Sequence, residues 1–159
     1  MAPFHRYADG DDLAAMPLEK LSTLAGCVVR VAKSQTAIDV DDFADANIQG
    51  RAVLVHTGWD RHWRTDSYFE NHPFLTEAAA AYLRDAGAAL VGIDSHNIDD
   101  TSQRMRPVHS ILLGAGIPIV EHMTGLEQLP DTDFMFHAAP PRVKGMGTFP
   151  VRAHAIIEG

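Results

Sequence analysis

Short apolar runs alternate with helix-forming stretches along this chain, and that rhythm restricts the fold more than any other feature. Residues 26–32, 52–56, 88–93 and 117–121 are apolar runs of strand length, the first rich in β-branched residues, and each is bounded by turn-forming or polar residues. Between them the pattern predicts three helices. One covers 39–46, with Asp39 as cap and an acidic first turn. The clearest has Thr76 as N-cap, runs through the Ala-rich stretch to Ala86 and is stopped by Gly87. The last covers 109–115 and ends at Gly116. Such alternation points to an α/β fold. Two further strands, 133–139 and 151–157, follow with no helix between them, which predicts antiparallel pairing late in a mixed sheet.

The chain has 159 residues, the usual size of one domain, and no repeat, low-complexity tract or long linker divides it, so residues 1–159 read as a single domain. With 46% hydrophobic and 21% charged residues it carries enough apolar material for a core. A formal net charge of -8 argues against phosphate backbones or anionic lipid as partners, so no nucleic acid is expected. No apolar run approaches the roughly 18 residues of a membrane-spanning helix. The first ten residues hold charges and a proline where a signal peptide needs an apolar stretch, and a cytoplasmic protein is expected. The single cysteine, Cys27, lies in the apolar setting Gly26-Cys27-Val28-Val29 and reads as a packing residue.

Nine histidines exceed what packing requires, although His62, His72 and His154 lie in polar or alternating contexts that suit ordinary roles. The first ten residues show no period yet hold Phe4, His5 and Tyr7 together, which is odd for a disposable terminus. His109 opens a short helix and Glu121 closes the strand after it, so a helix-to-strand return can bring both to one sheet edge. A carboxylate ending the apolar run Ile117-Pro-Ile-Val-Glu121 is costly to bury unless something positive meets it. A divalent cation would meet it, with imidazole and carboxylate as normal ligands; an ordinary buried hydrogen bond is the other reading of the pair. Other patterns fail. Gly114-Ala-Gly116 follows a helix and forms no dinucleotide loop, and Gly-x-Ser-x-Gly is missing. Asp94-Ser95-His96 sets three triad residue types side by side, where they cannot form a relay.

The order of several segments carries a resemblance. These are Ala2-Pro3-Phe4-His5, Val53-Leu-Val-His-Thr-Gly-Trp59, Val91-Gly-Ile-Asp94 leading to Asp99, Pro107-Val-His109 with Leu112-Leu113, Ile119-Val-Glu121 and Pro150-Val-Arg-Ala153. Together they resemble the cyclase family of metal-dependent hydrolases, the group that includes bacterial kynurenine formamidase. The resemblance implies a mixed, partly barrel-like β-sheet flanked by helices, of the swivelling β/β/α type. It implies His109 and Glu121 as ligands of a divalent metal, Zn or Mn, and His5 as the general acid/base. The family's motif, His-x-Gly-Thr-His-x-Asp-x-Pro-x-His, is represented only by Ala2-Pro3-Phe4-His5; its ligand Asp aligns with Met1 and its two ligand His fall before the chain. An N-terminally truncated chain is expected, because His5, His109 and Glu121 all remain.

The activity implied is hydrolysis of a carbon–nitrogen bond in a small-molecule amide, formamide or cyclic amide, as in arylformamidase. Divalent ions polarise the carbonyl and activate water in such sites. Phe4 or Trp59 could wall the substrate, and either could equally be a core aromatic. With family ligands absent, impaired activity is expected, and the alternative is a non-catalytic binding or interaction module on the same fold. Exposed sheet edges at the N-terminal side predict a homodimer or higher homo-oligomer.

Overall fold

β-Branched and small residues at alternate positions build the central sheet. In the computed structural model, which describes residues 1–157, strand β1 spans Leu24–Arg30, β3 Ala52–His56 and β5 Leu90–Ile93. The two-residue strands β2 (Ala37–Ile38) and β4 (Phe74–Leu75) form a separate parallel pair. Strands β6 (Ile119–Val120), β7 (Phe134–His137) and β8 (His154–Ile157) complete the set. The main sheet has the order β6-β5-β3-β1-β7-β8. Its first four strands are parallel, whereas β7 runs antiparallel to β1 and β8 antiparallel to β7. The late antiparallel pair and the mixed sheet expected from the sequence are both present, and the sheet curls as a half-barrel within one α/β domain.

The two faces divide the core by the period of two that strands impose. Cys27, Val29, Val53, Val55, Val91 and Ile93 face helices α1 (Glu77–Asp85) and α2 (Pro107–Gly114), and pack with Leu83, Leu112 and Phe43. Val28, Leu54 and Leu90 face the other way, against Met123, Phe134 and Phe136. Cys27 is buried, and burial pushes its thiol up to about 11, so it serves as a packing residue. Helix α1 begins as its sequence predicts, with the Thr76 hydroxyl accepting from the Ala79 amide, and Gly87 leaves it at φ 77°. Among the described residues no helix is long and apolar enough to cross a membrane.

Several boundaries differ from the sequence reading, and three have a clear local cause. The helix expected over 39–46 is one 3-10 turn, Val40–Phe43, closed by a capping box between Asp39 and Asp42. Phe43 is the only buried residue of the turn, so one turn suffices to bury its anchor. Helix α2 begins at Pro107, two residues before His109, because proline needs no amide partner at a first helical position. Strand β6 stops at Val120, which leaves Glu121 just beyond the sheet.

Asp94, at the end of β5, fastens the loop after β3. Its fully buried carboxylate accepts from the Thr57 amide (2.9 Å), the Thr57 hydroxyl (2.6 Å) and the Gly58 amide (2.8 Å). Asp94→Ala leaves these donors unpaired in the interior and is expected to cost about 3 kcal/mol. A shift of the urea midpoint with an unchanged m-value would measure it.

A candidate active-site cleft

The helix-to-strand return carries out the convergence that its sequence allows. His109 lies in the first turn of α2, on the face that buries Val108, Leu112 and Leu113. Asp99 holds it there: its carboxylate accepts from the Val108 amide (2.8 Å), the His109 amide (3.0 Å) and the His109 ring Nδ1 (2.6 Å). With Nδ1–H given to Asp99, the lone pair on Nε2 is left free. That Nε2 stands 3.6 Å from Glu121 Oε1, beyond hydrogen-bond reach. The other demand on Glu121 Oε1 comes from the Ile98 amide at 2.7 Å. Burial raises the Glu121 carboxyl above its ordinary pKa, and His109 opposes that shift.

His5 completes the group, with its ring centroid 5.8 Å from that of His109. It sits at the end of the 3-10 turn Pro3–His5, a turn that the aperiodic first ten residues did not foretell. Burial and the neighbouring His109 lower its pKa, so the ring is neutral near pH 7. The segment is tied down from two sides. The Ala2 amide donates to Gly147 O (2.8 Å), and Arg6 Nε and the Tyr7 hydroxyl donate to Ser110 on α2. Gly147 approaches so closely that a Cβ there would lie 2.4 Å from the His5 amide nitrogen and 2.5 Å from its Cα. Gly147→Ala therefore displaces His5 and is expected to lower both stability, by about 1–3 kcal/mol, and the activity proposed below. Thermal melts and turnover measured on the same preparation would check this.

His5, His109 and Glu121 share a cavity of about 860 Å³. Trp63, Phe69 and His122 line the same cavity. Phe4 and Trp59, the wall residues suggested by sequence, are not among its lining residues. Trp59 instead donates through Nε1 to Tyr68 O and packs on the His62 ring at 4.5 Å. His62, His72 and His154 also lie outside the cavity. His72 is buried between Pro73 O (3.0 Å) and the Thr101 hydroxyl (2.9 Å), and His154 stacks on His137. Asp99 is the positioning group that sequence reasoning left without a role; in the sequence it is one of two adjacent carboxylates, Asp99 and Asp100, about ten residues before His109, and nothing there singles it out. Trp63 caps the 3-10 turn Trp59–His62 and Phe69 closes the turn Asp66–Phe69, and their polar sequence surroundings gave no signal.

Whether a metal fits can be judged from the donors. Two ligands about 2.0–2.1 Å from a tetrahedral ion stand roughly 3.4 Å apart, close to the separation of His109 Nε2 and Glu121 Oε1. The carboxylate on the far ring nitrogen is the arrangement that metal-bound histidines use. Among the described residues, however, no group of three or more His, Cys, Asp or Glu side chains could hold an ion. The pair fits two positions of a ligand set and does not complete a catalytic one.

Known proteins share this arrangement of chain. The kynurenine formamidase of Geobacillus thermodenitrificans (strain NG80-2) is 28% identical over 155 residues, which cover 96% of this chain and 71% of that protein. A solved structure described as a potential metal-dependent hydrolase with cyclase activity is 30% identical, with a TM-score of 0.76 over 96% of this chain and 73% of its own. An isatin hydrolase bound to the product analogue thioisatinate superposes with a TM-score of 0.88 at 20% identity, over 99% of this chain and 70% of that one, which shows the shared fold. A family model described as a putative cyclase matches residues 1–100, and the chain belongs to the cyclase family.

Proposed function

We propose that this cleft hydrolyses the carbon–nitrogen bond of a small-molecule amide, with formamides of arylamines and cyclic amides as the substrate class. The observation that carries the reading is the approach of His109 Nε2 to Glu121 Oε1, with the His5 ring beside them at one cavity. Similarity to a kynurenine formamidase and to a metal-dependent hydrolase supports it. In the reaction, a water oxygen bonds to the carbonyl carbon, the carbon–nitrogen bond breaks, and the amine departs with a proton. His5 is neutral near pH 7, so it can accept a proton from the attacking water and return it to the leaving nitrogen. Asp99 keeps the His109 ring in one tautomer and orientation throughout.

A divalent ion, Zn or Mn, supplies carbonyl polarisation in chemistry of this kind. His109 and Glu121 would hold it, and two protein donors are fewer than the three usual for a catalytic site. Weak metal binding and impaired turnover are therefore expected of this chain. N-formylaniline hydrolysis, followed with added Mn²⁺ or Zn²⁺ and again with chelator, tests the reading. Ion-stimulated turnover is expected, falling at least about 100-fold in His109→Ala and Glu121→Ala. Undiminished turnover in either variant would remove the site. A stably folded wild type that is inert with both ions would favour a non-catalytic binding module. We further propose a homodimer or larger assembly, which a monomeric sedimentation profile would refute.

A further inference from the structure

Next to Glu121, His122 adopts a left-handed backbone at φ 58°, a conformation that favours glycine and asparagine. A strained residue persists only where its surroundings hold it, and such residues gather at functional sites. Two hydrogen bonds hold this one: its amide donates to Ser95 O (3.1 Å), and its ring Nδ1 lies 3.1 Å from the Tyr68 hydroxyl. Tyr68 itself is 1% exposed and wedged edge-on between Trp63 (5.0 Å) and Phe69 (5.6 Å).

The direction of the Tyr68 hydrogen bond decides the chemistry of His122. Among the described residues the phenol has no other partner, so if Nδ1 were the donor the phenolic proton would be left buried and unpaired. The phenol therefore donates, Nδ1 carries the lone pair, and the ring's proton resides on Nε2. No described residue accepts from that Nε2–H. The ring lies on the wall of the cavity that His5 and His109 also line, one residue from Glu121. Simple packing does not account for this arrangement, because the His122 side chain is exposed to the cavity and a glycine would relieve the backbone.

We propose that His122 Nε2–H donates a hydrogen bond to the carbonyl oxygen of the amide substrate, with Tyr68 as the positioning residue that fixes its tautomer. This rests on the hydrolytic reading above. As water adds to the carbonyl carbon, the carbonyl π pair moves onto oxygen, and a fixed neutral donor aimed at that oxygen strengthens its bond as the charge grows. When the adduct collapses, the pair returns to re-form the carbonyl and the carbon–nitrogen bond breaks, its nitrogen taking the proton from His5. His122 neither gains nor loses a proton, so the balance of the reaction is unchanged.

The test uses the full chain in three measurements. With ¹⁵N-labelled histidine, NMR is expected to show His122 protonated at Nε2 in the wild type and as a tautomer mixture in Tyr68→Phe; an Nδ1–H ring in the wild type overturns the proposal. With ion-stimulated hydrolysis of N-formylaniline as readout, His122→Gly is expected to lower kcat about 100-fold, with KM nearly unchanged. His122→Asn tolerates the backbone and keeps an N–H, so it should restore part of that loss. Wild-type kcat in His122→Gly overturns the proposal. The third measurement separates this failure from failure of the hydrolytic reading. Bound N-formylaniline labelled with ¹³C at the carbonyl should show a downfield carbonyl shift that His122→Gly abolishes, whether or not the chain turns it over. An unchanged shift in that variant sinks the role of His122 alone, whereas no binding to the wild type at millimolar ligand sinks the hydrolytic reading and this role with it.

Discussion

Asp99→Ala should lose about 3–5 kcal/mol of stability, because each interior donor left without its acceptor costs about 1–3 kcal/mol. Asp99 is 1% exposed and serves two backbone amides of α2 and the His109 ring, so truncation leaves three interior donors unpaired at once. Helix α2 has no side-chain cap of its own at Arg106, which makes the distant carboxylate its only such cap among the described residues. Chemical denaturation would give the stability loss. Asp99→Asn separates the two duties. Its oxygen can still accept from one amide, but its NH₂ group faces donors, so His109 is expected to lose its single tautomer. Stability should then fall less than in the alanine variant while turnover falls as far. Equal turnover in Asp99→Asn and wild type would contradict the orienting role.

Glu121→Gln is expected to act in the opposite directions on stability and function. Burial raises the carboxyl above its unfolded pKa of about 4.5. A group raised in this way contributes stability that is complete below the unfolded value and is lost as pH rises through the folded one. In chelator, the wild type should therefore lose stability as pH climbs from about 4 toward neutrality at this site. The glutamine variant, which keeps the Ile98 amide bond without the buried charge, should not. At pH 7 the variant is expected to be more stable by on the order of 1 kcal/mol and to lose ion-stimulated turnover. Melting temperatures of both proteins across pH 4–8 would check the sign. A less stable glutamine variant at pH 7 would show that Glu121 is held by a compensating charge.

Much of the frame was legible because it depends on local chemistry. The Thr76 cap, the Ala-rich run and Gly87 mark α1 at both ends, and the apolar runs at β1, β3 and β5 could be placed to within about two residues. Other boundaries failed. Helix α2 starts two residues before His109, at a proline that marks a helix start in the sequence itself, while the Asp99 carboxylate that caps its amides lies outside the helix's own pattern. The 3-10 turn at Val40–Phe43 is short because one buried phenylalanine anchors it, whereas the acidic cap alone suggested a longer helix.

The candidate site divides in the same way. The sequence pointed to Glu121 and its partner His109 because a carboxylate ending an apolar run is expensive to bury alone, and to His5 only through the resemblance of segment order. Only the tertiary structure decided that these three share a cavity, and that Asp99 orients the middle one. Trp63 and Phe69 replace Trp59 and Phe4 at the wall for a related reason. Which face of a loop meets a cleft is set by the backbone path between strands, to which sequence periodicity is blind. The left-handed turn at His122 and the single tautomer it presents depend on a hydroxyl 54 residues away, so only the folded chain contains them.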